Sequence, residues 1–245
     1  MFDLYRAEAR KLTTTRTPVG LLLGALAVVV IGTFSTISSM DPLHISGALH
    51  DQPFYLLTSV NLGVFAVVFG IRLFTDEFRH GTIVPAALVT TSRRRLFLGK
   101  SLVASVTTAV GSGIALLTMV VTAMATASMK GADLGIASED VGAFAGLIVG
   151  MAAWSAIGVA IGGIVRHQVA AIVGGVIWTL VAENLASGLV RDASAFLPGQ
   201  SVHALADATQ ATGLATPTIA FAVLVTYVLT LSLGAVVTLE RRDIA

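Results

Sequence analysis

Residues 72–100 read RLFTDEFRHGTIVPAALVTTSRRRLFLGK. This stretch interrupts an otherwise oily chain and carries its densest cluster of charge: Arg72, Asp76, Glu77, Arg79, Arg93, Arg94, Arg95 and Lys100. Long apolar runs flank it on both sides. Charge of that density does not enter lipid, so the stretch lies on one face of a membrane. Short segments rich in Lys and Arg stay in the cytoplasm, which predicts the inner face and gives another protein a handle on the membrane domain.

The rest of the composition agrees. The 245 residues are 55% hydrophobic and 12% charged, with mean hydropathy +0.87. A soluble domain carries about 25% charged residues, and apolar runs of about 20 residues are membrane helices. The net charge of +1 supplies no bulk basic field for nucleic acid. Cysteine is absent, which excludes disulfides, Cys-ligated metals and Cys nucleophiles. The expectation is one all-α transmembrane domain over 1–245, with no room for a soluble catalytic domain.

Six spans follow from the apolar runs: 18–38, 53–71, 101–129, 141–165, 169–189 and 217–239. Three of them open on proline, at Thr17-Pro18, Gln52-Pro53 and Thr216-Pro217. Proline suits the first helical position, where no N–H is needed. The run 101–129 exceeds what a bilayer requires and is expected to tilt or project. Residues 1–16 mix Phe2, Tyr5, Ala9 and Leu12 with Arg6, Arg10, Lys11 and Arg16, the pattern of a short helix in the cytoplasmic interface.

Six spans put both termini on one side. With that side inward, all of the 15 Lys and Arg residues except Lys130 and Arg191 fall in cytoplasmic segments. The outer loops differ in character. His44 and His50 in the first are solvated loop residues rather than a metal pair. Residues 190–216 are half apolar and too polar to span, so they are either short helices dipping into the outer leaflet or a plain extracellular loop.

Within the membrane, Gly142, Gly146, Gly150, Gly158 and Gly162 recur at steps of four, or multiples of four, along one helix face. That row is a packing seam within the chain or a subunit contact. Glu183 and Asn184 in the fifth span and Asn61 in the second are the candidates for a substrate path. Glu183 either meets a partner or a water-filled cavity, or reaches the outer headgroups. Asn61 is equally an interhelical hydrogen bond.

Asp76, Glu77 and Phe78 exceed what membrane orientation requires. Acid does not serve the inward bias, and the aromatic has no obvious core. Gly81 permits a turn after one or two helical turns, so the segment suits a short amphipathic helix that docks a soluble partner. Gly99-Lys100-Ser101 imitates the end of a P-loop, but Arg94 stands where the motif needs glycine. The chain therefore lacks that ATP-binding motif. Neither H-E-x-x-H nor G-x-S-x-G occurs.

The run Asp76-Glu77-Phe78-Arg79-His80-Gly81-Thr82, then Leu88, Thr91, the Ser92-Arg93-Arg94-Arg95 turn and Gly99-Lys100, resembles the cytoplasmic loop of ABC-2-type transporter permeases. Glu8-x-x-Lys11-Leu12 with Thr14, Thr15 and Arg16 is similar too. Ser92 or Arg93 stands where the family commonly has proline. The resemblance implies the ABC-2 (type V exporter-like) permease fold, with 72–100 as a coupling loop seated on a separate ATPase subunit. It implies contact through Asp76, Glu77, Phe78, Arg79, Gly81 and Thr82, with Glu77 the matching acidic position. Arg166 and His167 form a smaller second contact. On this view the chain is not an enzyme and holds no cofactor, ATP and Mg belonging to the nucleotide-binding partner. A second permease subunit, identical or paralogous, completes the path. The alternatives are an ion-gradient-driven secondary transporter or channel, and a membrane enzyme or scaffold.

Overall fold

The computed structural model describes residues 16–41, 45, 53–82, 92–189, 195–206 and 215–241. Their helices, in chain order, are α1 (Arg16–Ser39), α2 (Pro53–Arg79), α3 (Arg93–Met129), α4 (Ser138–Val165), α5 (Gln168–Leu189), α6 (Pro198–Ala206) and α7 (Pro217–Arg241). No strand occurs among the described residues. Among the described residues five helices are long and apolar enough to cross a membrane: α1 from Thr17, α3, α4 from Asp140, α5 and α7. Leu23, Ile31, Leu117, Val121, Leu229 and Leu233 point outward from α1, α3 and α7, as lipid-facing side chains do. This is a multi-pass membrane protein.

The 27-residue α2 packs most extensively on α4. The two backbones touch. A Cβ on Gly70 would lie 2.0 Å from the Ser155 carbonyl oxygen, and one on Gly158 would lie 2.3 Å from that of Val67. Only glycine permits this approach. It gives tight van der Waals packing where lipid supplies no hydrophobic drive between helices. The glycine row of α4 is thus a seam within the chain. Gly158 and Gly162 meet α2, while Gly146 and Gly150 meet Leu205 and Val202 of α6. A Cβ on Gly142 would meet no neighbouring element within 4 Å among the described residues.

Several boundaries differ from the sequence expectation. The second span was expected to end near Ile71, followed by a separate short amphipathic helix. Instead α2 continues without a break through Asp76, Glu77 and Phe78 to Arg79. It stops at Gly81, whose φ of 65° closes a Schellman turn: Thr82 N donates to Glu77 O at 2.9 Å and Gly81 N to Phe78 O at 3.3 Å. Likewise α3 starts at Arg93 rather than Ser101, so the basic turn forms its first helical turn. At 37 residues α3 is about 55 Å long, well beyond a hydrocarbon core of about 30 Å. The fifth span is interrupted by a π-helical turn at Trp178–Ala182, directly before Glu183. Within the 190–216 segment, the nine-residue α6 packs on α4 and α7. The expected interfacial helix over 1–16 lies outside the described residues apart from Arg16, and residues 83–91 lie outside them too.

Candidate functional site: a polar cluster at one end of the bundle

Six helix ends meet here through polar and charged side chains. At the end of α2, Asp76 Oδ1 accepts from Gln168 Nε2 at 2.7 Å, and Arg79 donates to Gln168 Oε1 at 3.2 Å. Gln168 is the first residue of α5, so one amide ties the α2 terminus to the α4–α5 junction. Arg72 reaches Asp76 at 3.6 Å and Thr17 of α1 at 3.5 Å. The start of α3 is fixed to the end of α7: Arg94 forms a two-pronged pair with Glu240, at 2.6 and 3.1 Å, and Arg93 donates to the Leu239 carbonyl. Arg166 donates to the Thr238 carbonyl at 2.7 Å. These last two donors satisfy carbonyls that a helix C-terminus leaves open, where positive charge is also favoured by the helix dipole.

Glu77 is turned inward. Its Oε1 lies 2.9 Å from Lys100 Nζ, and the two side chains are 6% and 1% exposed. Lys100 Nζ also donates to the Leu73 carbonyl at 3.3 Å. The pair joins α2 to α3 across the loop, beside the packed rings of Phe74, Phe78 and Phe97. Phe78 therefore does have a core. Its outer face carries the Arg166 guanidinium, 5.6 Å from the ring centroid, a cation–π contact. Arg166 sits at φ 59°, unusual for a non-glycine residue, and ends α4 so that α5 starts at once. His167 caps α5, its Nδ1 accepting from Ala170 N at 3.3 Å.

The expected contact set therefore divides. Arg79, Gly81, Thr82 and His167 are exposed at this end, with His80 beside them. Buried Glu77 and half-buried Asp76, Phe78 and Arg166 are the struts that hold that rim. Sequence reading did not show that Lys100 is Glu77's partner, nor that Glu240 is Arg94's. Neither 23 nor 146 residues of separation leaves a local pattern.

At the other end, Lys130 caps α1, donating to the carbonyls of Ser38 and Met40 at 2.6 Å each. Glu183 does not reach outward to headgroups. It is buried and accepts from the backbone N–H groups of Gly199 and Gln200, at the first turn of α6. A carboxylate there satisfies open N–H groups and complements the helix dipole. A space of about 30 Å³ remains around it, lined by Trp154, Thr179, Asn184, Gln200 and His203, enough for a water molecule. Burial holds the His203 imidazole below its ordinary pKa. Asn184 donates back to the Leu180 carbonyl at 2.9 Å and is exposed. Asn61 lies on α2, its side chain outside the described residues. No group of three or more metal-ligating side chains occurs among the described residues.

Comparison with protein-family models and with curated proteins finds no match for this chain.

Proposed function

We propose that this chain is the membrane-spanning permease subunit of an ATP-driven ABC exporter, working with a separate nucleotide-binding ATPase subunit and a second permease subunit. On this reading α2 is the sixth membrane crossing, and both termini and the polar cluster face the cytoplasm of the cell membrane. The observation that carries it is the pairing of the 76–82 motif with the cross-braced helix ends around it. Exposed Arg79, Gly81, Thr82 and His167 offer a partner a surface. Asp76, Glu77, Phe78 and Arg166 transmit a push from that surface into α2, α4, α5 and α7.

The permease does no chemistry. Closure of an ATPase pair bound to the rim moves the struts, and the bundle tilts as a body. Transport then rests on a different affinity for cargo in the two arrangements, since a ligand shifts an equilibrium only by that difference. The test is purification of the chain in mild detergent from its native membranes, with identification of any P-loop ATPase that accompanies it. One should co-purify, and Arg79→Glu should abolish the association while leaving the chain inserted. Transport that persists without ATP and requires a proton gradient would replace this reading with a secondary transporter. Glu183, buried beside a π-helical turn, is the observation on that side.

A further inference from the structure

A cavity of about 280 Å³ lies between α1, α2 and α3, with Met151 of α4 among its lining residues. Its walls are nearly all apolar, from Leu22, Leu62, Phe65 and Phe69 among others. Such a space stays dry and takes an apolar occupant. One end of it is marked by charge. Arg72 follows Phe69 by three residues and so continues the same face of α2. Its guanidinium touches Thr17, the neighbour of the lining residue Pro18. Both facts put a cation at the end of an apolar slot, level with the first turn of α1.

That cation is poorly satisfied. Its contacts to Thr17 and Asp76 are 3.5 and 3.6 Å, beyond good hydrogen-bond length. Its Nε has no hydrogen-bond partner among the described residues. Asp76 meanwhile is taken by Gln168 at 2.7 Å. The Arg72 side chain as a whole is 27% exposed, although its Nε is buried. Its planar fork matches a phosphate in a way no other side chain does.

We propose that this cavity binds one phospholipid, an acyl chain lying between α1, α2 and α3 and the anionic phosphate on Arg72. The site does not depend on the exporter reading, because it needs neither an ATPase nor transport. An apolar slot alone would take any hydrocarbon. The under-satisfied guanidinium at its end selects a lipid carrying negative charge there.

The test is native mass spectrometry of the full chain, stripped of lipid in detergent and titrated with phosphatidylglycerol or with diacylglycerol of the same chains. Phosphatidylglycerol should give one saturable adduct and bind roughly tenfold tighter than diacylglycerol. Arg72→Gln should erase that preference, and Arg72→Lys should keep part of it. Asp76→Asn, which releases the guanidinium, should tighten binding. Gly111→Leu, which fills the slot from α3, should remove the adduct. Glycerol phosphate without chains should not bind. Arg95→Gln, an exposed cation at the same end of the bundle, should change nothing. Equal affinity for the two lipids, unsaturable adducts, or equal losses for Arg72→Gln and Arg95→Gln would each overturn the proposal. Every variant is first checked for an unchanged gel-filtration profile.

Discussion

Lys100 Nζ and Glu77 Oε1 stand 2.9 Å apart, both side chains almost fully withdrawn from water, one in the last turn of α2 and the other two turns into α3. A buried ion pair adds little net stability over apolar replacements, but losing one partner strands the other charge. Glu77→Gln or Lys100→Met alone should each cost about 3–5 kcal/mol. The double variant Glu77→Gln/Lys100→Met should cost clearly less than the sum of the two. Thermal unfolding in detergent measures all three. Additive losses would show that the two residues act independently.

The glycine seam between α2 and α4 makes a second, sharper demand. Gly70→Ala would place its methyl carbon 2.0 Å from the Ser155 carbonyl oxygen, so the helices must separate. The expected loss is more than about 2 kcal/mol. Gly20→Ala in α1 meets nothing within 4 Å and should be neutral or stabilising by up to about 1 kcal/mol, from helix propensity. Melting temperatures of the two variants, side by side, separate backbone contact from a general intolerance of alanine.

What was legible in the sequence divides along the same physical line. The apolar runs, the proline starts of α2 and α7 and the six-residue basic set over 72–100 depend on local pattern, and the apolar part of each helix lies where those patterns put it, though α1 already begins at Arg16, two residues before Pro18. Cross-bundle pairing has no local pattern. Phe78 looked coreless because the rings of Phe74 and Phe97 and the Arg166 guanidinium reach it only after folding. Asp76–Arg79 looked like a separate amphipathic helix because the charge begins at Arg72. Yet charge does not end a helix, and α2 runs until Gly81 supplies a left-handed turn. Glu183 looked near enough to the surface to reach it. The backbone N–H groups of α6, sixteen and seventeen residues on, turn it inward.

Glu183 yields a third expectation. Glu183→Ala leaves the first N–H groups of α6 without an acceptor and should loosen α6 from α4 by about 1–2 kcal/mol, while Glu183→Gln keeps an acceptor and should loosen it less. Because the chain has no cysteine, a single Val202→Cys is a clean reporter. Val202 is only 2% exposed, so its thiol should resist maleimide in the parent and react severalfold faster with Glu183→Ala. Unchanged protection would mean that Gly146 and Gly150 hold α6 without the carboxylate.

The orientation of the bundle is open to the same chemistry. The ends of α2, α3 and α7 and the α4–α5 junction share one polar cluster, and Lys130 caps α1 away from it. Among the described residues every Lys and Arg except Lys130 lies toward the first side, which predicts that side is cytoplasmic. Thr82→Cys and Arg95→Cys should therefore react with a membrane-impermeant maleimide only after permeabilisation. Asp133→Cys, exposed in the α3–α4 connection, should react in intact cells. The opposite labelling would put the 76–82 rim outside, out of reach of any ATP-consuming partner. The exporter reading would then fail even though every contact within the bundle stood unchanged.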